Sequence, residues 1–155
     1  MKIELWTLGK TDTDYIKEGI SVYEKRLKHY VSFEIITLLD VKNPPLSSEQ
    51  LKIKEGEIIL TKLQKDDFLI VLDEGGTLLS SNDFALFLEK KQVNSTKRVV
   101  FLIGGAFGFS QSIYEKADYK LSFSKMTFTH QMIRLIFAEQ LYRAYTIIKG
   151  EKYHN

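Results

Sequence analysis

The amino-acid sequence predicts an α/β fold, a mostly parallel sheet with helices on both faces. Strand-like and helical patterns alternate along the whole chain, and this alternation is typical of parallel strands joined by helical crossovers. The length of 155 residues and the hydrophobic fraction of 44% fit one domain, 1–155. With two prolines, nine glycines and no internal repeat, the sequence offers no linker and no domain boundary.

Five short apolar runs predict the strands of this sheet. Their period and their length are those of strands rather than of helices. The runs are Ile3 to Leu8, Phe33 to Leu39, Phe68 to Asp73, Arg98 to Ile103 and the shorter Tyr119 to Phe123.

The segment after the first strand predicts an amphipathic helix. Its apolar side chains recur at steps of four and three, so they share one stripe of the helix surface. They are Ile16, Ile20, Tyr23, Leu27 and Tyr30. Charged side chains such as Lys17 mostly face water, and Asp12 or Thr13 is a candidate N-cap.

Serine residues mark the starts of two further helices. Ser47 followed by Gln50 has the spacing of a capping box, and the helix that it opens runs to about Gln64. Ser80 or Ser81 opens a third helix in the same way.

The last predicted helix, from about Thr129 to Lys149 and followed by Gly150, is apolar in nearly every direction. One face of such a helix can pack on the sheet. The other packs most economically on a second copy of the chain, so the sequence predicts a twofold dimer. Within this helix Glu139 and Arg143 are four residues apart with the acid first, which is the favourable order for an ion pair.

Charge and composition exclude several classes of function. There are 22 Lys and Arg against 20 Asp and Glu, and a net charge of +2 is too weak to indicate nucleic-acid binding by itself. The absence of cysteine excludes disulfides, thiolate zinc sites and cysteine nucleophiles, and favours a cytoplasmic protein. No signal peptide or membrane span is apparent, and three scattered histidines offer no metal-ligand spacing.

Three segments are candidates for a binding site. Leu72 to Gly76 ends a strand in two acids and a glycine pair, and ligands of open α/β sheets bind beyond the carboxyl ends of strands. Gly104 to Phe109 lets a ligand approach the backbone, although it lacks the GxGxxG spacing of dinucleotide sites. Leu121 to His130 mixes hydroxyl and apolar side chains, which suit a ligand of mixed polarity. A tight turn capped by acids explains the first segment as well, and a Thr-capped helix start explains the third.

The short polar tail, 151–155, is a further candidate. His130 and His154 each lie beside aromatic and basic residues at an end of the last helix. The sequence contains no P-loop, HExxH or GxSxG motif, so nucleotide hydrolysis, zinc proteolysis and hydrolase-type acyl transfer lack support.

Four stretches, in order, carry a resemblance to a known family. They are LDEGG with LSS following, FLIGGAFGFS, LSFSKMTFTHQMIRLIFAEQLYRAY and the terminal KYHN. Together with the opening KIELWTLGK and YEKRLKHY of the first helix, they resemble the RlmH family, pseudouridine N3 methyltransferases of bacterial large-subunit rRNA in the SPOUT superfamily. One departure is Thr129, where the family commonly has Pro.

The resemblance implies a fold, a cofactor and partners. It implies a C-terminal deep trefoil knot, the SPOUT or α/β-knot arrangement, which is an exception to the rule against knots. The knot loops would bind S-adenosylmethionine. The implied cofactor residues are Leu72, Gly104, Phe123, Ser124, Lys125, Met126, Thr127 and Phe128. The implied partners are 23S rRNA in the assembled ribosome and a second copy of the chain, whose tail meets the cofactor pocket of the first; no metal or membrane takes part.

The resemblance also implies the chemistry of methyl transfer to N3 of a flipped or loop-exposed base, with help in removing the N3 proton. We expect His154 and Tyr153 to contact the base or accept the proton, and Arg143 and Arg134 to hold phosphate or stabilise negative charge on the base. Pairing with Glu139 explains Arg143 equally well. The residues expected to contact RNA are His130, Arg134, Arg143, Lys152 and His154.

Two other functions fit parts of the sequence. A related SPOUT enzyme acting on tRNA would share the knot and the cofactor site, and only the RNA that accepts the methyl group distinguishes it. A non-enzymatic ligand-binding module would explain the glycine segments, but it leaves the tail of Tyr153 and His154 and the apolar last helix without a role.

Overall fold

The structure is a computed structural model that describes residues 1–38, 40–41, 43 and 47–155. These residues contain five strands: β1 (Lys2–Leu8), β2 (Ser32–Leu38), β3 (Asp67–Leu78), β4 (Arg98–Ile103) and β5 (Tyr119–Ser122). The strands form one sheet in the order β2-β1-β4-β3-β5, and every pair is parallel. The predicted parallel sheet is confirmed, while the predicted end of β2 at Leu39 lies outside the described residues.

Helices connect the strands as the sequence predicts, with one addition. They are α1 (Asp14–Leu27), α2 (Ser48–Lys62), α3 (Ser81–Val93), α4 (Gln111–Lys116) and α5 (His130–Ile148), followed by a 3₁₀ turn at Lys152–His154. The predicted caps of α2 and α3 are confirmed, since Ser47 accepts from the Gln50 amide at 3.4 Å and Ser80 from the Asp83 amide at 3.1 Å. Thr13 precedes α1 without a capping hydrogen bond from its side chain. The sequence did not predict α4, because six residues are too few to show a helical period.

The helices cover both faces of the sheet, as the sequence predicts. Successive residues of a strand point to opposite faces. On β4, Phe101 belongs to the core beneath α1, α3 and α5, and its neighbour Leu102 belongs to the core beneath α2 and α4. Both side chains are fully buried, which explains why this strand is apolar at successive positions.

The last helix, α5, packs against both α1 and α3 on one face of the sheet. At Gly19 of α1 a Cβ atom would lie 2.7 Å from Cδ1 of Leu135, so α1 and α5 touch there. Neighbours within the chain therefore cover part of the apolar surface that the sequence analysis assigned to a second subunit. Met132, Leu135 and Ile136 remain half-exposed, and the dimer stays a prediction. Gly150 follows α5 with φ +69°, the left-handed conformation in which a glycine commonly ends a helix.

Strand β3 continues beyond its glycine pair, so the prediction that the strand ends there in a turn is wrong. Leu72 and Thr77 both pair with Leu121 of β5, and residues 73–76 between them form a bulge. A Cβ atom on Gly76 would lie 2.8 Å from the backbone carbon of Leu121. Glycine is therefore needed where β3 returns to β5.

The deep trefoil knot implied by the resemblance stays a prediction, since strand order and register do not define how a chain is threaded. None of the helices in the described ranges combines the length and the hydropathy that a membrane span requires.

Candidate functional site

A cleft of about 540 Å³ opens at the carboxyl ends of β3, β4 and β5. Its walls are the β3 bulge, the glycine-rich segment after β4 and the segment that joins β5 to α5. This volume is in the range of small-molecule sites. The carboxyl ends of strands are also where open α/β sheets bind their ligands.

The three segments that the sequence singled out all contribute to this cleft. The predicted cofactor residues that line it are Leu72, Gly104, Phe123, Ser124, Met126, Thr127 and Phe128. Lys125 is exposed and is not part of the lining, so the geometry gives no support to its predicted cofactor contact. The shared cleft agrees with the sequence analysis, whereas cofactor binding by these residues stays a prediction.

Two glycines of the segment after β4 lie close against neighbouring side chains. A Cβ atom on Gly104 would lie 3.1 Å from the ring of Phe109, which itself lines the cleft. A Cβ atom on Gly105 would lie 2.7 Å from the carboxylate of Glu55 on α2. Burial, reinforced by the charge of Asp40, raises the pKa of that Glu55 carboxyl above its ordinary value. A larger residue at either position would displace a neighbour and alter the shape of the segment.

Local hydrogen bonds shape the segment between β5 and α5. The Ser122 hydroxyl donates to the Ser124 carbonyl at 2.9 Å, and the Met126 amide donates to the Ser124 hydroxyl at 2.9 Å. The Thr129 hydroxyl accepts from the Met132 amide at 3.1 Å and caps α5. Thr129 therefore starts the helix where the family commonly has Pro. The two explanations offered for this segment are therefore compatible, because it both starts α5 with a Thr cap and forms a wall of the cleft.

Asp73, in the β3 bulge, lines the cleft with a carboxylate that is held at both oxygens. Its Oδ1 accepts from the Gly75 amide at 2.8 Å, and its Oδ2 accepts from the Tyr114 hydroxyl of α4. Burial and this hydrogen bond raise the pKa of Tyr114 to about 12, so the hydroxyl stays a donor at physiological pH. The sequence predicted neither α4 nor this contact. Ser110, a common N-cap residue directly before α4, was the one indication of a helix start there.

His130 and Arg134, one turn apart on α5, have opposite surroundings. His130 is exposed and lines the cleft. Arg134 is only 2% exposed and donates to the Leu8 carbonyl at 3.2 Å and the Thr11 hydroxyl at 3.0 Å. Burial lowers the pKa of Arg134, and its Nε has no hydrogen-bond partner among the described residues. A guanidinium buried this deeply does not present its charge to a phosphate at the protein surface. The structure therefore gives no support to the predicted RNA contact of Arg134.

The C-terminal tail folds back on α5 and forms a second cluster. Oε1 of Glu139 accepts from the Arg143 guanidinium at 2.5 Å and from the Tyr153 hydroxyl at 3.1 Å. Nη1 of Arg143 lies 3.4 Å from Nδ1 of His154, and Lys152 is exposed beside them. The ion pair predicted on α5 is confirmed, and two tail residues join it.

Tyr153 is held in this cluster as a hydrogen-bond donor. Its ring packs on Tyr142 with the centroids 4.7 Å apart, and the Arg143 guanidinium lies 4.9 Å from its centroid. Burial, followed by hydrogen bonding with Tyr23 and the charge and hydrogen bond of Glu139, raises the pKa of Tyr153 above its ordinary value. The hydroxyl is therefore protonated at neutral pH. This favours the first predicted role of Tyr153, contact with the target nucleobase, over the second, acceptance of the N3 proton.

The cleft and the tail cluster lie far apart along one chain. His130 borders the cleft and Arg143 belongs to the tail cluster. They are thirteen residues apart on α5, and a rise of about 1.5 Å per residue separates them by roughly 20 Å along the helix axis. Glu139, the other α5 residue of the tail cluster, is nine residues from His130, so roughly 14 Å separates them along the axis.

Comparison with known proteins identifies the family. The family model described as "Predicted SPOUT methyltransferase" matches residues 1–154. The chain belongs to the SPOUT methyltransferase family. The resemblance stated from the sequence is thereby confirmed, and the cleft is the candidate active site of a SPOUT methyltransferase.

Relatives of this SPOUT methyltransferase match it from end to end. A protein named ribosomal RNA large subunit methyltransferase H from Cytophaga hutchinsonii is 50% identical over 155 residues, which cover 100% of both chains. Its namesake from Parabacteroides distasonis is 52% identical over 156 residues, covering 100% of this chain and 99% of the relative. A solved structure of a probable methylase family protein from Haemophilus influenzae Rd KW20 is similar in fold alone. It has a TM-score of 0.51 at 14% identity and covers 96% of this chain and 66% of that one.

Proposed function

We propose that this SPOUT methyltransferase transfers a methyl group from S-adenosylmethionine to N3 of a pseudouridine in the helix 69 loop of 23S rRNA, in the cytoplasm. One observation carries the proposal. Three separate segments converge on a single cleft, in a chain about half identical to proteins named ribosomal RNA large subunit methyltransferase H. The family supports methyl transfer, and the relatives' name supports large-subunit rRNA as the acceptor.

The cleft fits S-adenosylmethionine by size and chemistry. Phe123, Met126 and Phe128 can cover the faces of an adenine ring, while backbone groups of the same segment can bind its polar edge. The glycines after β4 leave backbone rather than side chain beside the ligand. When bound, this cofactor supplies an electrophilic methyl group on its sulfonium sulfur.

The residues of the chain must orient the base, exclude water and move one proton. N3 lies on the Watson–Crick edge, so the base has to leave its pair or lie in a loop before it is methylated. In our proposal the Tyr153 oxygen, whose one proton is donated to Glu139, accepts a hydrogen bond from an N–H group of the base, and a ring nitrogen of His154 accepts the N3 proton. Arg143 stabilises the negative charge that develops on the base as the proton leaves.

A composite site made by two copies follows from the distance between the two clusters. The residues of α5 in the tail cluster, Glu139 and Arg143, lie roughly 14 and 20 Å along the helix axis from His130, whereas methyl transfer needs the base and the methyl group in contact. The proposal therefore includes a twofold dimer in which the tail of one subunit meets the cleft of its partner. Half-exposed apolar residues of α5 offer surface for this dimer. They are Met132, Leu135 and Ile136.

The charge of the chain favours a folded rRNA target. A net charge of +2 gives little of the phosphate attraction on which binding to naked RNA depends. Specificity then requires the shape of an assembled ribosomal surface. We expect weak, salt-sensitive binding to isolated RNA.

Methyl transfer from labelled S-adenosylmethionine tests the proposal. The acceptors are ribosomes and bulk tRNA, both taken from a strain that lacks the corresponding methyltransferase gene. Label in 23S rRNA supports the proposal, and label in tRNA replaces it with the related tRNA enzyme. Cofactor binding without transfer to either RNA would indicate a binding module.

A further inference from the structure

The carboxylate of Asp73 is the starting point, because it is fixed in the cleft before any ligand arrives. One donor, the Gly75 amide, occupies Oδ1, and another, the Tyr114 hydroxyl, occupies Oδ2. A carboxylate oxygen accepts more than one hydrogen bond, so each oxygen keeps acceptor capacity for a ligand. Two acceptor oxygens held at a set spacing match a pair of neighbouring hydroxyl groups.

Strand order indicates which part of the cofactor meets Asp73. In the sheet, β3 lies between β4 and β5, so Asp73 lies between Gly104 after β4 and the segment 123–128 after β5. The ribose is likewise the middle of S-adenosylmethionine, between adenine and the methionine chain. With adenine against the aromatic segment 123–128, the ribose falls at the β3 bulge.

We propose that Asp73 binds the ribose hydroxyls of the cofactor and that Tyr114, through its hydrogen bond to Oδ2, is a positioning residue for Asp73. This inference rests on the proposed function, since it assigns one part of the same cofactor site. Asp73 contacts the ligand directly, whereas Tyr114 acts through Asp73. The role of α4 is then to bring Tyr114 to the β3 bulge.

Calorimetric titration with two unreactive ligands tests the assignment. 5′-Methylthioadenosine keeps the adenine and the ribose but lacks the amino-acid part, and its 2′,3′-dideoxy analogue lacks both ribose hydroxyls as well. Asp73→Asn should weaken binding of methylthioadenosine about ten- to a hundredfold, as loss of a hydrogen bond to a charged group does. The same substitution should hardly change binding of the dideoxy analogue, because both hydroxyls that Asp73 binds are already missing.

The pair of ligands separates ligand contact from general damage to the cleft. A substitution that only distorts the cleft weakens both ligands equally, and that result would overturn the proposal. If Asp73→Asn weakened binding of S-adenosylhomocysteine but not of methylthioadenosine, Asp73 would contact the amino-acid part of the cofactor. That result would also overturn the proposal. Asp14→Asn, at a side chain 95% exposed on α1, is the matched control and should change neither ligand.

Tyr114→Phe tests the positioning role. It removes the hydroxyl that holds Asp73 and should weaken binding of methylthioadenosine several-fold, again with little effect on binding of the dideoxy analogue. In the Asp73→Asn background it should add little, because the two residues act through one contact. Additive losses in the double variant would overturn the role of Tyr114. Tyr15→Phe, at a residue 62% exposed on α1, is its control. If the wild-type chain bound none of these ligands, the proposed function itself would fail, and that outcome is distinct from the others.

Discussion

Tyr153 donates its hydroxyl to Oε1 of Glu139 at 3.1 Å and so fastens the C-terminal tail to the middle of α5. The same oxygen accepts from Arg143, whose guanidinium in turn contacts His154. The last residues of the chain are therefore ordered against a helix that begins at the cleft. The tail is therefore part of the folded structure.

Deleting Tyr153 to Asn155 should abolish methyl transfer and leave cofactor binding nearly unchanged. The deletion removes the proposed base contact and proton acceptor, but no residue of the cleft lining. Turnover with ribosomes and calorimetry with S-adenosylhomocysteine measure the two effects separately. Normal turnover by the shortened chain would remove the tail from the mechanism.

Gly104→Val should weaken cofactor binding while the protein stays folded. The added side chain meets the Phe109 ring, 3.1 Å from the position of Cβ, and so disturbs a residue of the cleft lining. Gly104→Ala adds only the Cβ and should have a smaller effect of the same sign. Circular dichroism checks the fold, and an unchanged dissociation constant for Gly104→Val would exclude Gly104 from the site.

Mixed dimers test whether the site is shared between subunits. A chain with Gly104→Val has a damaged cleft and an intact tail, and a chain that lacks residues 153–155 has the reverse. Coexpression should restore part of the turnover, because one of the two sites in each mixed dimer combines an intact cleft with an intact tail. Sedimentation should show a dimer at micromolar concentration, whereas a monomer with full turnover would contradict the composite site.

Asp67→Asn should destabilise the fold at neutral pH and reduce its sensitivity to acid. Burial alone would raise the pKa of Asp67, but hydrogen bonds from Arg98 and from the Gln64 amide outweigh it and lower the pKa below its ordinary value. A carboxyl with a lowered folded-state pKa contributes stability above its unfolded pKa, near 3.8, and loses that stability as the pH falls through the folded value.

Urea unfolding of both proteins at pH 7 and at pH 3 measures this contribution. The Arg98 guanidinium contacts Asp67 at 2.7 Å and 2.5 Å, and the Asp67 side chain is 4% exposed, so breaking the pair should cost about 3 kcal/mol at pH 7. The difference should shrink at pH 3. The exposed pair of Asp66 and Lys97 is the control, and Asp66→Asn should change the free energy of unfolding by less than about 1 kcal/mol. An equal loss from both substitutions would contradict the assignment.

The sequence predicted those features that local patterns determine. Strand β4 was predicted residue for residue, and Ser47 and Ser80 cap the helices that they were expected to cap. It also predicted the three cleft segments, because carboxyl ends of parallel strands meet at one edge of a sheet.

Features that depend on distant contacts were missed or misplaced. The β3 bulge depends on the backbone of β5, and the burial of Arg134 depends on the end of β1. The hydrogen bond between Tyr114 and Asp73 joins residues 41 positions apart. None of these contacts leaves a period or a spacing in the sequence, so only the folded chain reveals them.

Mass-spectrometric mapping of the methylated nucleotide tests directly whether the protein methylates N3 of a pseudouridine in 23S rRNA. Ribosomes from the strain that lacks the gene are incubated with the protein and labelled cofactor, and the 23S rRNA is digested with nuclease. We expect the label on N3 of a pseudouridine in the helix 69 loop, and none when the tail-deleted chain replaces the wild type. Label on another nucleotide, or on another position of the base, would contradict it.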